Sequence, residues 1–211
     1  MIEKKIQDEI RNFFSTKSQH EQSKTTKFQI PLAVPSYNHE EVIDALDSML
    51  STWVTMGEKV KSFEEQFSKY IGCKNGIMVN SGSSANLLAL SILSNPATEN
   101  SIKRDSQIIT PAITWATTVS PIINVGCTPM FVDVDLDTLC VNTEEIKDAI
   151  NSKTACLLPV HLMGNPCNMQ EISKISKEHD LYLVEDACEA PGATFDDKKV
   201  GSFGDLGTFS F

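Results

Sequence analysis

Two short polar stretches carry the residue types that binding and catalysis require, and each comes directly after an apolar run. In the first, Asn80-Ser81-Gly82-Ser83-Ser84-Ala85 separates Ile77-Met78-Val79 from the helix-forming Asn86-Leu87-Leu88-Ala89-Leu90. Gly82 permits positive φ and close backbone approach. The free amides of a helix start, its dipole and the hydroxyls of Ser83 and Ser84 suit a phosphate. A serine N-cap beside a glycine turn is the alternative reading. Neither G-x-x-x-x-G-K-[ST] nor G-x-G-x-x-G occurs, so the usual nucleotide-binding loops find no support. In the second stretch, Asp186 closes the run in Val184-Glu185-Asp186-Ala187-Cys188-Glu189-Ala190. A carboxylate at the mouth of a parallel sheet can hold a cation, a metal or a protonated ring nitrogen, or simply cap the next turn of chain. Trp115, just after Pro111-Ala112-Ile113-Thr114, could stack on a planar ligand or fill the core. His161 and Cys167 make no zinc-ligand spacing with other residues, so no structural metal is expected.

These residues need elements to place them. From Gly76 onward, apolar runs at 77–79, 107–110, 130–133, 155–160 and 181–184 alternate with helical stretches near 83–90, 115–125, 143–150 and 168–178. Strands alternating with helices, with the strands apolar throughout, predict an α/β fold: a mainly parallel sheet with helices on both faces. Ligands of such sheets lie beyond the carboxyl ends of the strands, where the polar stretches fall. Upstream, two helices are expected at about 39–51 and 58–71, after an extended segment opened by Pro31 and Pro35. An amphipathic helix over 2–14 places Ile2, Ile6, Ile10 and Phe13 or Phe14 on one stripe. The polar run Ser15 to Phe28 reads as a linker, so the expected organisation is a helix and linker over 1–28 and one large domain over 29–211.

Composition narrows the function classes. The chain has 211 residues, 41% hydrophobic and 22% charged, which fits a folded domain and not a disordered chain. Eighteen Lys and Arg against 28 Asp and Glu give a formal net charge of −10, which argues against nucleic acid as a partner. No stretch approaches the roughly 20 apolar residues of a membrane helix. The charged start, Met1-Ile2-Glu3-Lys4-Lys5, lacks the apolar core of a signal peptide. Six cysteines without a C-x-x-C pair suggest small buried hydrophobes in a reducing cytosol.

The combination Ser81-Gly82-Ser83-Ser84-Ala85, Thr110-Pro111-Ala112-Ile113-Thr114-Trp115, Phe131-Val132-Asp133-Val134-Asp135, His161-Leu162-Met163-Gly164 and Glu185-Asp186-Ala187 resembles the DegT/DnrJ/StrS family of sugar aminotransferases. Trp53-Val54-Thr55-Met56-Gly57 and the closing Gly201 to Phe211 fit the same pattern, so the likeness runs from about Ile30 to Phe211. It implies a fold-type I transferase large domain, cut before its C-terminal domain, and pyridoxal 5'-phosphate or pyridoxamine 5'-phosphate as cofactor. By the same resemblance Gly82, Ser83 and Ser84 hold the phosphate from one side and Ser210 from the other. Trp115 stacks on the pyridine ring, and Asp186 bonds the ring nitrogen and keeps it protonated, so that the ring can accept electrons. The implied substrate is a nucleotide-linked keto-sugar, with an amino donor such as glutamate, in a homodimeric cytoplasmic enzyme of surface-polysaccharide or deoxy- and amino-sugar biosynthesis.

Glu189 departs from the aminotransferase pattern, which carries His or Gln there. An acid at that position, with Ser81 to Leu90 and Gly204 to Thr208, resembles the nucleotide-sugar 3-dehydratase branch. That branch replaces the Schiff-base lysine by a histidine base and holds the amine form of the cofactor. Some members bind an iron–sulfur cluster through a cysteine matching Cys188; a small buried residue is the alternative there, and a solvated acid at Glu189. The resemblance puts the deciding lysine or histidine a few residues past Phe211. Lys198 and Lys199, expected in a turn before Gly201, do not replace it. The 211 residues are therefore expected to be inactive alone, as the N-terminal part of a longer enzyme or as a non-catalytic remnant.

Overall fold

An apolar strand is stable only when both faces are covered, and the arrangement of the sheet follows from that requirement. The computed structural model describes residues 2–22 and 36–211. The chain divides into two compact units, Met1–Ser62 and Phe63–Phe211. The boundary expected at residue 28 and the extended segment at Pro31 and Pro35 lie outside the described residues.

In the first unit, α1 (Lys4–Gln22) packs on α2 (His39–Leu50), with the Phe14 and His39 rings 6.4 Å apart. The linker expected from Ser15 is instead helical through Gln22. The hydroxyls of Ser15 and Thr16 both donate to the Asn12 carbonyl at 2.8 Å, which satisfies them inside the helix. Helix α2 starts at a capping box: Asn38 accepts from the Glu40 amide at 2.9 Å and Glu41 returns to the Asn38 amide at 2.7 Å. Helix α3 (Glu58–Ile71) spans the boundary between the units.

The second unit holds the sheet. After α4 (Gly82–Leu93) come β1 (Gln107–Pro111), α5 (Ala116–Asn124), β2 (Thr128–Val132), α6 (Thr143–Ala149), β3 (Thr154–Leu157), α7 (Met169–Glu178) and β4 (Tyr182–Asp186). A small antiparallel hairpin, β5 (Thr194–Phe195) and β6 (Lys198–Lys199), precedes β7 (Leu206–Thr208). The sheet order is β2-β1-β3-β4-β7, every pair parallel. Lys198 and Lys199, expected in a turn, form β6; the turn is Asp196-Asp197, both at positive φ, as a tight hairpin requires.

Alternation along each strand sorts the core into two layers. Ile109, Leu157 and Leu183 pack with Ile146 of α6 and with Met169, Ile172 and Ile175 of α7. Ile108, Cys156, Leu158 and Val184 pack with Ala89, Leu90 and Leu93 of α4 and Ile122 of α5. Successive residues of a strand face opposite sides, so Glu185 falls on the α7 side and Asp186 on the α4 side.

The apolar run 77–79, expected as a strand, has no ladder partner among the described residues. A cleft of about 620 Å³ lies between it and β7, lined by Phe63, Phe67, Ile77, Val79, Leu206 and Phe209. The Met78 amide is satisfied by the Glu64 carboxylate at 2.8 Å instead.

Candidate active site

The sheet order reverses direction between β1 and β3, which marks where an open α/β sheet binds ligand. Beyond the carboxyl ends of β1, β3, β4 and β7 lies a cavity of about 220 Å³. Gly82, Ser83, Trp115, Asp186, Cys188, Glu189 and Ser210 all line it. Of the residues singled out in the sequence, Ser84 does not. Its hydroxyl accepts from Ser81 at 3.2 Å, and its amide donates to the Ser81 hydroxyl at 3.2 Å. Ser81 is thus the N-cap of α4. Its side chain occupies the Ser84 amide and its carbonyl accepts from Ala85. Helix geometry leaves the amides of Gly82 and Ser83 without intrahelical acceptors, at the positive end of the helix dipole.

Gly82 is required by packing. A Cβ there would stand 2.7 Å from Cys188 Sγ and 2.9 Å from Ser210 Cβ, so only glycine lets the start of α4 come this close to the chain after β4 and β7. That approach brings the Ser83 and Ser210 hydroxyls to one cavity. Trp115 is not a core residue: it is 74% exposed on the rim, at the start of α5.

Asp186 is 4% exposed. Its Oδ2 accepts from Asn86 Nδ2 and Thr118 Oγ1, each at 2.8 Å, and its Oδ1 from the Cys188 amide at 3.2 Å. The last bond is a local turn, the modest remnant of the expected cap. A carboxylate offers about four lone-pair positions, and three are filled here by the protein. The fourth suits a protonated ring nitrogen. Beside it, burial first and the Asp186 charge second push the Cys188 thiol up to about 12. Glu189 is not merely solvated: its Oε2 accepts from the Met163 amide at 2.6 Å, bracing the left-handed turn at Met163-Gly164 after β3.

The opposite face carries a second carboxylate that the sequence reading did not single out. Glu185 is completely buried, and accepts from the amides of Gly201 (2.7 Å), Phe203 (2.6 Å) and Gly204 (2.8 Å) and from His161 Nε2 at 3.2 Å. His161 Nδ1 accepts from the Cys167 amide at 3.1 Å, which fixes the ring proton on Nε2. His161 and Cys167 therefore belong to a hydrogen-bonded brace for the 201–204 loop. Among the described residues there is no group of three or more potential metal ligands, and all six cysteines are free. Four of them are buried; Cys73 and Cys188 are partly exposed.

Asn86 and Thr118 were also missed, although spacing carried a signal. Asn86 lies on the buried stripe Gly82, Asn86, Ala89, Leu90, Leu93, and Thr118 on the stripe with Pro121 and Ile122. A polar residue on a buried stripe needs a partner.

The mainly parallel sheet with helices on both faces is the large-domain fold of the fold-type I pyridoxal-phosphate-dependent transferases. The family model for the DegT/DnrJ/EryC1/StrS aminotransferase family matches residues 35–211, and the chain belongs to that family. It is 44% identical over 181 residues to GDP-4-keto-6-deoxy-D-mannose 3-dehydratase of Escherichia coli, covering 85% of this chain and 46% of that protein. It is 35% identical to GDP-perosamine synthase of Vibrio cholerae, covering 86% and 48%. A crystal structure of GDP-4-keto-6-deoxymannose-3-dehydratase with a trapped PLP-glutamate geminal diamine superposes with a TM-score of 0.81 at 42% identity, over 86% of this chain and 47% of that one. The chain spans about half the length of the curated relatives it matches.

Proposed function

We propose that this chain supplies the cofactor-binding half of an enzyme that uses pyridoxal or pyridoxamine phosphate to act on a nucleotide-linked keto-sugar. The observation that carries this reading is the buried Asp186 carboxylate, with one acceptor position left, in a cavity shared with the start of α4. When bound, the cofactor supplies an electron sink for chemistry at the carbon next to its amine. Asp186 holds the proton on the ring nitrogen. The amides of Gly82 and Ser83, with the Ser83 and Ser210 hydroxyls, hold the phosphate. Trp115 covers a ring face and keeps water from it.

Loss of water at C3 is the favoured reaction, because identity is higher to the dehydratase than to the perosamine synthase, 44% against 35%. Glu189 supports it, being an acid where amino-transferring relatives are expected to carry His or Gln. Amino transfer is the second reading, supported by the family as a whole. Among the described residues, those lining the cavity include neither lysine nor histidine, and this reading takes the proton-transferring base from outside that lining. Glutamate as amino donor is supported by the geminal diamine of the solved relative. Assembly as a homodimer in the cytoplasm belongs to the same proposal; among the described residues no helix is long and apolar enough to cross a membrane.

The test uses the full-length gene product. Adding pyridoxal phosphate should produce a visible absorbance band and a thermal shift, and the absence of both would sink the reading. With a GDP-4-keto-sugar and glutamate, the dehydration reading expects a 3-deoxy keto-sugar lighter by one oxygen atom, with glutamate converted to 2-oxoglutarate and its nitrogen released as ammonia. A covalent cofactor adduct trapped by borohydride would favour amino transfer instead.

A further inference from the structure

The cavity is served by a polar network that runs through two helices and ends on a single oxygen. Thr208 Oγ1 donates to Asn86 Oδ1 at 2.7 Å, and Asn86 Nδ2 donates to Asp186 Oδ2 at 2.8 Å. From the other side, Thr118 Oγ1 donates to the same Oδ2 at 2.8 Å. That bond uses the only hydroxyl hydrogen of Thr118, so the 2.8 Å contact between Thr114 and Thr118 must have Thr114 as donor. Every hydrogen in that arm therefore points toward Asp186; in the other, the Thr208 hydroxyl lies 2.7 Å from Asn86 Oδ1 and 3.3 Å from the Glu185 carbonyl, so the shorter contact takes its hydrogen. The orientation of the Asn86 amide is fixed as well: with its oxygen on the Thr208 hydroxyl, its NH2 faces the carboxylate. The reverse flip would set two acceptors against each other.

Asn86 is 2% exposed and Thr118 1% exposed, on helices whose other core-facing residues are apolar or small. A buried amide in that setting is costly unless it is fully bonded. The arrangement has a chemical consequence. Two donors fill both lone pairs of Oδ2, and the Cys188 amide takes one of Oδ1. The single remaining acceptor position is on Oδ1.

We infer that Asn86 is a positioning residue for the reaction: locked by Thr208 and acting with Thr118, it saturates Asp186 Oδ2 so that Oδ1 alone receives a protonated ring nitrogen. This rests on the reading of Asp186 as the ring-nitrogen partner. Removing the Asn86 donor frees Oδ2 and lets the carboxylate rotate, which weakens its hold on the ring proton without touching the phosphate or the ring face.

The experiment loads the full-length protein with pyridoxal phosphate labelled with ¹⁵N in the ring and reads the nitrogen resonance at saturating cofactor. In the unmodified protein the resonance should be that of a protonated pyridine. In Asn86→Ala it should move toward the unprotonated position, and the pH at which it titrates should fall, while the cofactor dissociation constant rises only about 3- to 10-fold, because Asp186 and the phosphate contacts stay in place. Thr208→Val leaves Asp186 and its direct donors in place and only unlocks the amide; it should produce a smaller shift in the same direction, and it decides the matter if Asn86→Ala does not fold. An unaltered resonance and titration in the folded variants would overturn the inference. A resonance that is unprotonated in the unmodified protein, or no binding at all, would instead remove the assignment of Asp186 on which it rests.

Discussion

Glu185 and Asp186 are neighbours in the sequence and neighbours in burial, yet they face opposite sides of the sheet and opposite fates. Glu185 accepts four hydrogen bonds, three of them from backbone amides of one loop, and no ligand can reach it. Asp186 accepts three, two of them from side chains on different helices, and lines a cavity. Burial therefore does not separate a structural carboxylate from a chemical one. The count of filled acceptor positions does, together with what the donors belong to. A carboxylate saturated by one loop holds that loop. A carboxylate one bond short, fixed by side chains, keeps an acceptor position open beside the cavity, which the proposed function gives to a ring nitrogen. The two are still connected, because the loop that Glu185 holds leads into β7, which carries Thr208 to Asn86, and the chain just after it brings Ser210 to the cavity.

The largest expected effect breaks the comparison on the structural side. Glu185→Ala leaves the buried Gly201 amide, the half-buried amides of Phe203 and Gly204 and the His161 N–H without their acceptor, and should lower unfolding free energy by about 4 kcal/mol or more in urea titrations of the cofactor-free protein. A loss under about 1 kcal/mol would mean that water replaces the carboxylate and that the loop does not depend on it. Asp186→Asn should do the reverse. Stability should change by no more than about 1–2 kcal/mol, since the side chain keeps its shape. Turnover of the full-length enzyme should fall by about two to three orders of magnitude, and cofactor should bind more weakly. Near-normal turnover in Asp186→Asn would reduce Asp186 to the turn-forming role it already plays with Cys188.

Much of this contrast was legible in the residues. The apolar runs at 107–110 and 181–184 and the helices between them could be placed from periodicity, because each buries enough apolar area to override local preference. Asp186 was visible as a polar end to an apolar strand. Its neighbour was not, since a glutamate inside the strand run is meaningful only once the 201–204 loop is folded over it. Asn86 meets Asp186 across 100 positions of sequence, so no local spacing could pair them; only its place on the buried stripe of α4 hinted at a partner. Two of the errors of element have equally local causes. Residues 77–79 have the apolar character of a strand, but strand identity depends on a neighbour, and the cleft beside β7 separates them from one. Ser15 and Thr16 are linker-like in composition, but their hydroxyls bond back to the helix that carries them.

The paired serines sharpen the chemical side. Replacing Ser83 and Ser84 together by Ala should weaken cofactor affinity by about 1–3 kcal/mol through lost hydrogen bonds to phosphate. The structure divides that loss unequally. Ser83 lines the cavity, whereas Ser84 is engaged with Ser81, so Ser83→Ala should carry most of it and Ser84→Ala should be nearly silent in a cofactor titration. Equal effects of the two single variants would mean that α4 presents its first turn to the phosphate differently.

The smallest effects come from two thiols that sense the two carboxylates separately. Burial first and the Asp186 charge next raise the Cys188 thiol from 9.0 to about 12; burial first and the Glu185 charge next raise Cys73. Both folded-state values lie above the unfolded one, so below about pH 9 both thiols stay protonated in either state and stability does not depend on them. As pH rises from 9 toward 12, the unfolded chain loses its thiol protons first, and the fold loses stability over that window. Thermal midpoints measured between pH 8 and 11 should therefore fall, and Cys188→Ala should make the fall shallower. Asp186→Asn should bring the ionisation of Cys188 closer to its ordinary value, read from the pH dependence of its alkylation, and should leave Cys73 alone. A shift of both thiols by Asp186→Asn would show that the sheet does not insulate the two carboxylates from one another, and the division between a sealed face and a binding face would fail at its electrostatic level.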